Sequence, residues 1–176
     1  MPPLTAPRDP LPTPRPAPDR TSDRLGDVLV LQGLLTRQQL ADALVRRIRL
    51  GEKLGTVLLA RGLVTRQQLY VALAEVWDTE LVALRAADVD PDLLALFDLV
   101  ELTVGGWVPV AVELTGAGEQ QVVVAFSDEP SPDVLEAVTA RTGIALVRPV
   151  VSTDQDVELA VGSARSLDTS PGDRLV

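Results

Sequence analysis

The stretch RLGDVLVLQGLLTRQQLADAL at 24–44 recurs as KLGTVLLARGLVTRQQLYVAL at 53–73, an offset of 29 with thirteen of twenty-one positions identical. A repeat of this period is one supersecondary unit that cannot bury its apolar face alone and must stack on its copy. Each copy reads as two helices. In the first, Leu25, Val28, Leu29 and Gln32 share one helical face, and Gly33 follows where a left-handed residue ends a helix. Thr36-Arg-Gln-Gln39 then has the spacing of a capping box, and Leu40, Ala43, Leu44 and Ile48 continue at helical intervals. The second copy repeats this with Leu54, Val57, Leu58, Gly62, Thr65, Gln68, Leu69, Leu73 and Val76. Two hairpins with matching apolar stripes predict a four-helix subdomain over residues 23–77.

The flanks read differently. Residues 1–22 hold eight of the fourteen prolines and no apolar period, the pattern of a disordered or polyproline II tail. From 78 to 162 the pattern shortens. Asp90-Pro91 opens a short helix reaching Phe97. Trp107–Leu114 and Gln120–Phe126 read as strands joined by a turn at Gly116-Ala-Gly118. Ser131-Pro132 starts a helix that Gly143 stops, Ile144–Val151 is a third strand, and Thr153 caps a last helix to about Val161. The order β-β-α-β-α predicts a small three-stranded α+β subdomain, so the whole is an α+β chain whose four-helix tandem repeat comes first. Residues 163–176 read as a second tail.

Composition narrows the chemistry. Among 176 residues there is no cysteine, no histidine and one lysine, Lys53. That removes disulfides, thiolate or imidazole catalysis, and the usual zinc sites. Lys53 stands in GEKLGT, which is not a phosphate-loop sequence. Asp128 and Glu129 resemble a turn before Pro130 more than a catalytic pair. The expectation is a non-enzymatic module with no cofactor. With no apolar signal segment and no uncharged run of spanning length, a cytoplasmic protein without membrane insertion is expected. The net charge of −9 is unevenly spread: residues 24–77 carry eight basic and four acidic groups, while 78–176 carry five and eighteen. Most of that surface repels duplex nucleic acid, whereas the basic segment can attract a small anion or an acidic partner.

Leu25-Gly26 and Leu54-Gly55 follow Arg24 and Lys53 and are expected to open helices. A helix start exposes free N–H groups and partial positive charge, and a glycine there lets an anion approach. Glycine at these positions equally serves close helix packing. Two copies of one anion-binding element suit a ligand with two similar halves and two phosphates.

Residues 24–76 resemble the tandem motif of the N-terminal domain of type II secretion and type IV pilus-assembly ATPases, the GspE N-terminal or MshEN-like domain. The family motif begins R-L-G, has leucines and a glycine at fixed places and ends in glutamine, and a short spacer gives the offset seen here. VPVAV at 108–112 and VVVAFSDEP at 122–130 extend the resemblance over about residues 23–162, without the ATPase core. It implies binding of cyclic di-GMP through the motif pair, or docking on a secretion or pilus machinery protein. The ligand-binding positions it implies are Arg24, Leu25, Gly26, Asp27, Leu29, Gly33, Leu34, Leu44 and Arg47 in the first motif. In the second they are Lys53, Leu54, Gly55, Leu58, Gly62, Leu63 and Leu73. Three positions depart from the pattern. Lys53 replaces arginine, keeping the charge but losing the planar fork. Arg47 and Val76 replace the closing glutamines. Two readings therefore stand: a cyclic dinucleotide sensor, or a docking module of a secretion, pilus or glycan-export system with no nucleotide.

Overall fold

The computed structural model describes the backbone of residues 20–168 and the side chains of 21–163. Four helices come first: α1 (Arg20–Leu31), α2 (Arg37–Leu50), α3 (Leu54–Ala60) and α4 (Arg66–Val76). The sequence copy is a structural copy. Thr36 and Thr65 each accept a hydrogen bond from the amide three residues on, and Gln39 and Gln68 each reach back to the cap amide. After α1 and α3, Gly33 (φ +72°) and Gly62 (φ +61°) take the left-handed conformation. The next amides, of Leu34 and Leu63, then return to the carbonyls of Leu29 and Leu58 at 2.9 and 3.0 Å. That six-to-one bond closes the helix end and turns the chain into the following helix.

The two helices of each hairpin touch through glycine. A Cβ built on Gly26 would stand 2.8 Å from Leu40 Cδ1, and one on Gly55 would stand 3.2 Å from Leu69 Cδ2. Leu25, Leu29, Ala43, Leu54, Val57, Leu58, Leu69 and Leu73 form the buried core around these contacts. Across the pair, α1 lies on α4 and α2 on α3. Gln32, just after α1, donates to Glu75 of α4 at 2.7 Å on the surface.

The second half carries α5 (Pro91–Leu94), α6 (Leu99–Gly105), β1 (Trp107–Leu114), β2 (Gln120–Phe126), α7 (Pro132–Thr142), β3 (Leu146–Val151) and α8 (Asp154–Asp168). The sheet order is β1-β2-β3, with β1 antiparallel and β3 parallel to β2. The hairpin turn at Gly116-Ala-Gly118 forms as expected, with Gly118 at φ +81°. Trp107, Phe126, Leu102 and Val122 anchor its core, where Phe97 meets Trp107 edge to face with centroids 5.2 Å apart.

Several sequence expectations change in detail. Helix α6 lies in a stretch that had been given no helix; Asp98 caps it, accepting from the amides of Val100 and Glu101. The short apolar run LVELTVG hides its period, and only the cap announces it. The third strand begins at Leu146 rather than Ile144. Ser131 occupies the cap of α7, but its side chain makes no capping bond. Helix α1 starts at Arg20, inside the stretch expected as tail, because the last proline there is Pro18 and every later residue has an amide to give. Helix α8 reaches Asp168, past 162, since no proline intervenes before Pro171. The rest of both expected tails lies outside the described residues.

The glycine contacts yield a test. Gly26→Val should lower the unfolding free energy by about 1–3 kcal/mol in urea melts, the cost of overpacking. Gly55→Val, where the clearance is larger, should cost less. Leu40→Ala placed in the Gly26→Val chain should cost less than it does alone, because the two side chains compete for one space.

Candidate functional site

Where the helical half meets the α+β half, the chain leaves a cleft of about 500 Å³, mid-range for a small-molecule site. Its helical wall is made by the start of α1 (Thr21, Ser22, Leu25), the opening of α3 (Lys53 to Thr56, with Leu59) and one face of α4 (Leu69, Tyr70, Leu73) with Trp77. The opposite wall is Val104, Gly105 and Gly106 at the end of α6, the Ser127-Asp128-Glu129 loop after β2, and Asp154 at the start of α8.

Both walls are tied by polar contacts between the halves. The Lys53 ammonium pairs with Asp128. Thr21 donates its hydroxyl hydrogen to Glu129 at 2.7 Å. Arg66, in the first turn of α4, pairs with Asp154, and the Asp154 amide donates to the Tyr70 hydroxyl oxygen at 3.1 Å. Among the described residues lining the cleft, Lys53 is the one base, against Asp128, Glu129 and Asp154. The Asp154 hydrogen bond holds the Arg66 guanidinium above its ordinary range. Burial pushes the Tyr70 phenol upward, against the Asp154 amide, which pulls it down. The Trp77 indole N–H is buried with no acceptor among the described residues. Among those residues no group of three or more acids is placed to hold a metal ion, and no helix is long and apolar enough to cross a membrane.

Of the positions expected from the sequence, the cleft gathers Leu25, Lys53, Leu54, Gly55 and Leu73. The others do other work or stand elsewhere. Leu29 and Leu58 are fully buried core. Leu34, Leu44 and Leu63 pack against that core. Gly33 and Gly62 are helix terminators at positive φ. Gly26 is spent on contact with Leu40. Arg24 and Asp27 are exposed on α1 outside the described lining, and Arg47 lies near the end of α2. Val76, at a closing-glutamine position, is core.

One expectation is corrected outright. Arg24-Leu25-Gly26 does not open a helix: it lies inside α1, where the amides point back along the helix. Lys53-Leu54-Gly55 does open one, with Lys53 as the cap residue, whose own side chain makes no capping bond. The two copies thus differ where they were expected to match, because α1 is extended at its start by residues that the second copy lacks. Missed by the sequence reading as ligand-site residues were Tyr70, Trp77, Gly105, Ser127, Asp128, Glu129 and Asp154. They converge only through the packing of one half on the other, although SDEP after a buried strand marked a turn at the right place.

Comparison with known proteins follows this architecture. The model of the MshEN domain family matches residues 77–171, which is the α+β half. A solved structure of MshE with cdg shares the fold with a TM-score of 0.65 at 22% identity, covering 80% of this chain and 98% of that one. The N-terminal domain of XpsE aligns with a TM-score of 0.57 at 18% identity, covering 81% and 94%. No curated protein matches the sequence.

Tyr70 is the single tyrosine, so its ionisation can be followed by absorbance. In the folded chain the tyrosinate band should rise later in a pH titration than it does in urea. Since the fold prefers the neutral phenol, this contribution to stability is full below a pH of about 10 and is lost as pH climbs through the folded value. A folded titration that coincides with the unfolded one would show that the ring is not buried in solution.

Proposed function

This chain belongs to the MshEN domain family, and from that premise we propose that it is a regulatory domain binding a cyclic dinucleotide, cyclic di-GMP, in the cleft between its halves. The observation that carries the reading is Lys53. It caps α3 without a capping bond from its own side chain, and it lines the cleft. An anion there meets a cation and helix-start N–H donors together. The solved MshE structure that shares this fold contains cdg, the abbreviation of that nucleotide.

Lys53 is held by Asp128, but the two side chains are 70% and 46% exposed. An exposed pair of this kind stabilises by about 0–1 kcal/mol, so a phosphate can take the lysine at little cost. Trp77 adds an aromatic ring to the same wall. Leu25, Leu54, Leu59, Leu69 and Leu73 supply apolar surface for the bases. Arg24, next to cleft-lining Leu25 and exposed, serves as the second cation for the second phosphate. The first motif then acts through its side chain rather than through a helix start. The domain carries no chemistry of its own; its output is the docking state of the machinery it serves.

A second reading is a docking module of a type II secretion, type IV pilus or glycan-export system that has lost the nucleotide. What favours it is Val76, which is buried and can contact no ligand.

Calorimetry with cyclic di-GMP separates the two. The first reading expects saturable heat. Lys53→Ala should weaken binding about tenfold or more, the loss of one charge-assisted hydrogen bond. Arg24→Ala should weaken it as well. Asp128→Asn should tighten it a few-fold by freeing the lysine. A flat titration at high protein concentration, with the chain folded, transfers the case to the docking reading.

A further inference from the structure

Helix α2 carries a face that its own bundle does not cover. Of its residues only Ala43 is fully buried, while Ile48 is 79% exposed and Val45 and Leu50 are more than half exposed. Beside them Asp42, Val45, Arg46, Arg49, Leu50 and Arg61 line a shallow groove of about 400 Å³. Arg46, Arg49 and Arg61 have no carboxylate partner among the described residues. Apolar side chains framed by unpaired arginines predict an occupant that is apolar and acidic.

The chain itself carries such a surface. From 86 to 140 there is not one lysine or arginine. Within that stretch Val100 and Val104 share one face of α6, exposed at 69 and 83%, and Leu96, in the turn between α5 and α6, is 47% exposed. Asp92 stands one turn before Leu96, since the Ala95 and Leu96 amides continue the helical bonding back to Pro91 and Leu93. The exposed Asp88, Asp90 and Asp98 flank this row. One surface is apolar and cationic; the other is apolar and mainly anionic, with Glu101 of α6 already paired to Arg141.

We propose that the α2 face of one copy docks on the α5–α6 face of a second copy, and reciprocally, to give a closed two-fold dimer. One patch of a few side chains is small beside the roughly 800 Å² per partner of a standard interface. Reciprocal pairing engages both patches of both copies at once and leaves no open end. The contact lies outside the helical wall of the ligand cleft and meets the opposite wall only at Val104.

Sedimentation of the full chain from micromolar to millimolar concentration tests this. The expected result is a monomer–dimer equilibrium that weakens as salt is raised. Ile48→Glu and Val100→Lys should each raise the dissociation constant at least tenfold, with the far-UV circular dichroism unchanged because both positions are exposed. An equimolar mixture of the two variants should associate again, since each retains the face the other lacks and the remaining contact sets glutamate against lysine. A chain that stays monomeric throughout, a dimer indifferent to both substitutions, open-ended growth, or a mixture that does not recover association would each overturn the proposal. Monomer throughout would leave the α2 face to an acidic helix of another protein.

Discussion

Two glycines without side chains, Gly26 and Gly55, let the paired helices of each repeat close on Leu40 and Leu69. The rest of the helical half depends on that approach. With the hairpins closed, Leu29, Leu58 and Ala43 lose all contact with solvent, and α1 and α4 can lie side by side. The glycines that look like openings for a ligand are thus first a packing device. In the first copy that use is complete, because Gly26 is buried within a helix; in the second, Gly55 keeps one side on the cleft while the other meets Leu69.

The halves are joined by a shared seam. Val151, at the end of β3, packs into the core of the helical half rather than its own. Leu81, just after the last helix of the bundle, bridges to it as a fragment of strand. Around this apolar contact stand Lys53–Asp128, Arg66–Asp154 and Thr21–Glu129, all crossing the same boundary. Each crossing pair is partly exposed, so their combined role is orientation more than stability. They set which loop of the sheet faces which helix start, and the cleft is the space they enclose.

Charge follows the same division. The helical half is basic and the α+β half is acidic. At the seam the two signs meet inside one molecule, which consumes Lys53 and Arg66. On the far side of α2, Arg46 and Arg49 have no carboxylate partner among the described residues, and Val100 and Val104 stand exposed along α6. The boundary holds the fold together, and the outer faces remain available for association.

The helices of the repeat, both capping boxes, the three strands and the turn at Gly118 were legible in the sequence, because each is set by residues close together in the chain. A threonine three residues before a glutamine caps a helix wherever it stands, and a glycine after a leucine-rich turn ends one. Helix α6 was not legible, since seven residues, about two turns, are too few to show a period. The site was legible in part. Lys53, Leu54 and Gly55 stood out by their repetition, but the same repetition suggested that Arg24 opens a helix, and it does not. What the sequence alone determined is local: where backbone donors and acceptors are satisfied by neighbours, and which residues must be buried. Which carboxylate reaches Lys53, and which of two near-identical motifs faces the cleft, was decided by the docking of the halves, because residues 75 or more positions apart are brought together only by the burial of Val151 and its neighbours.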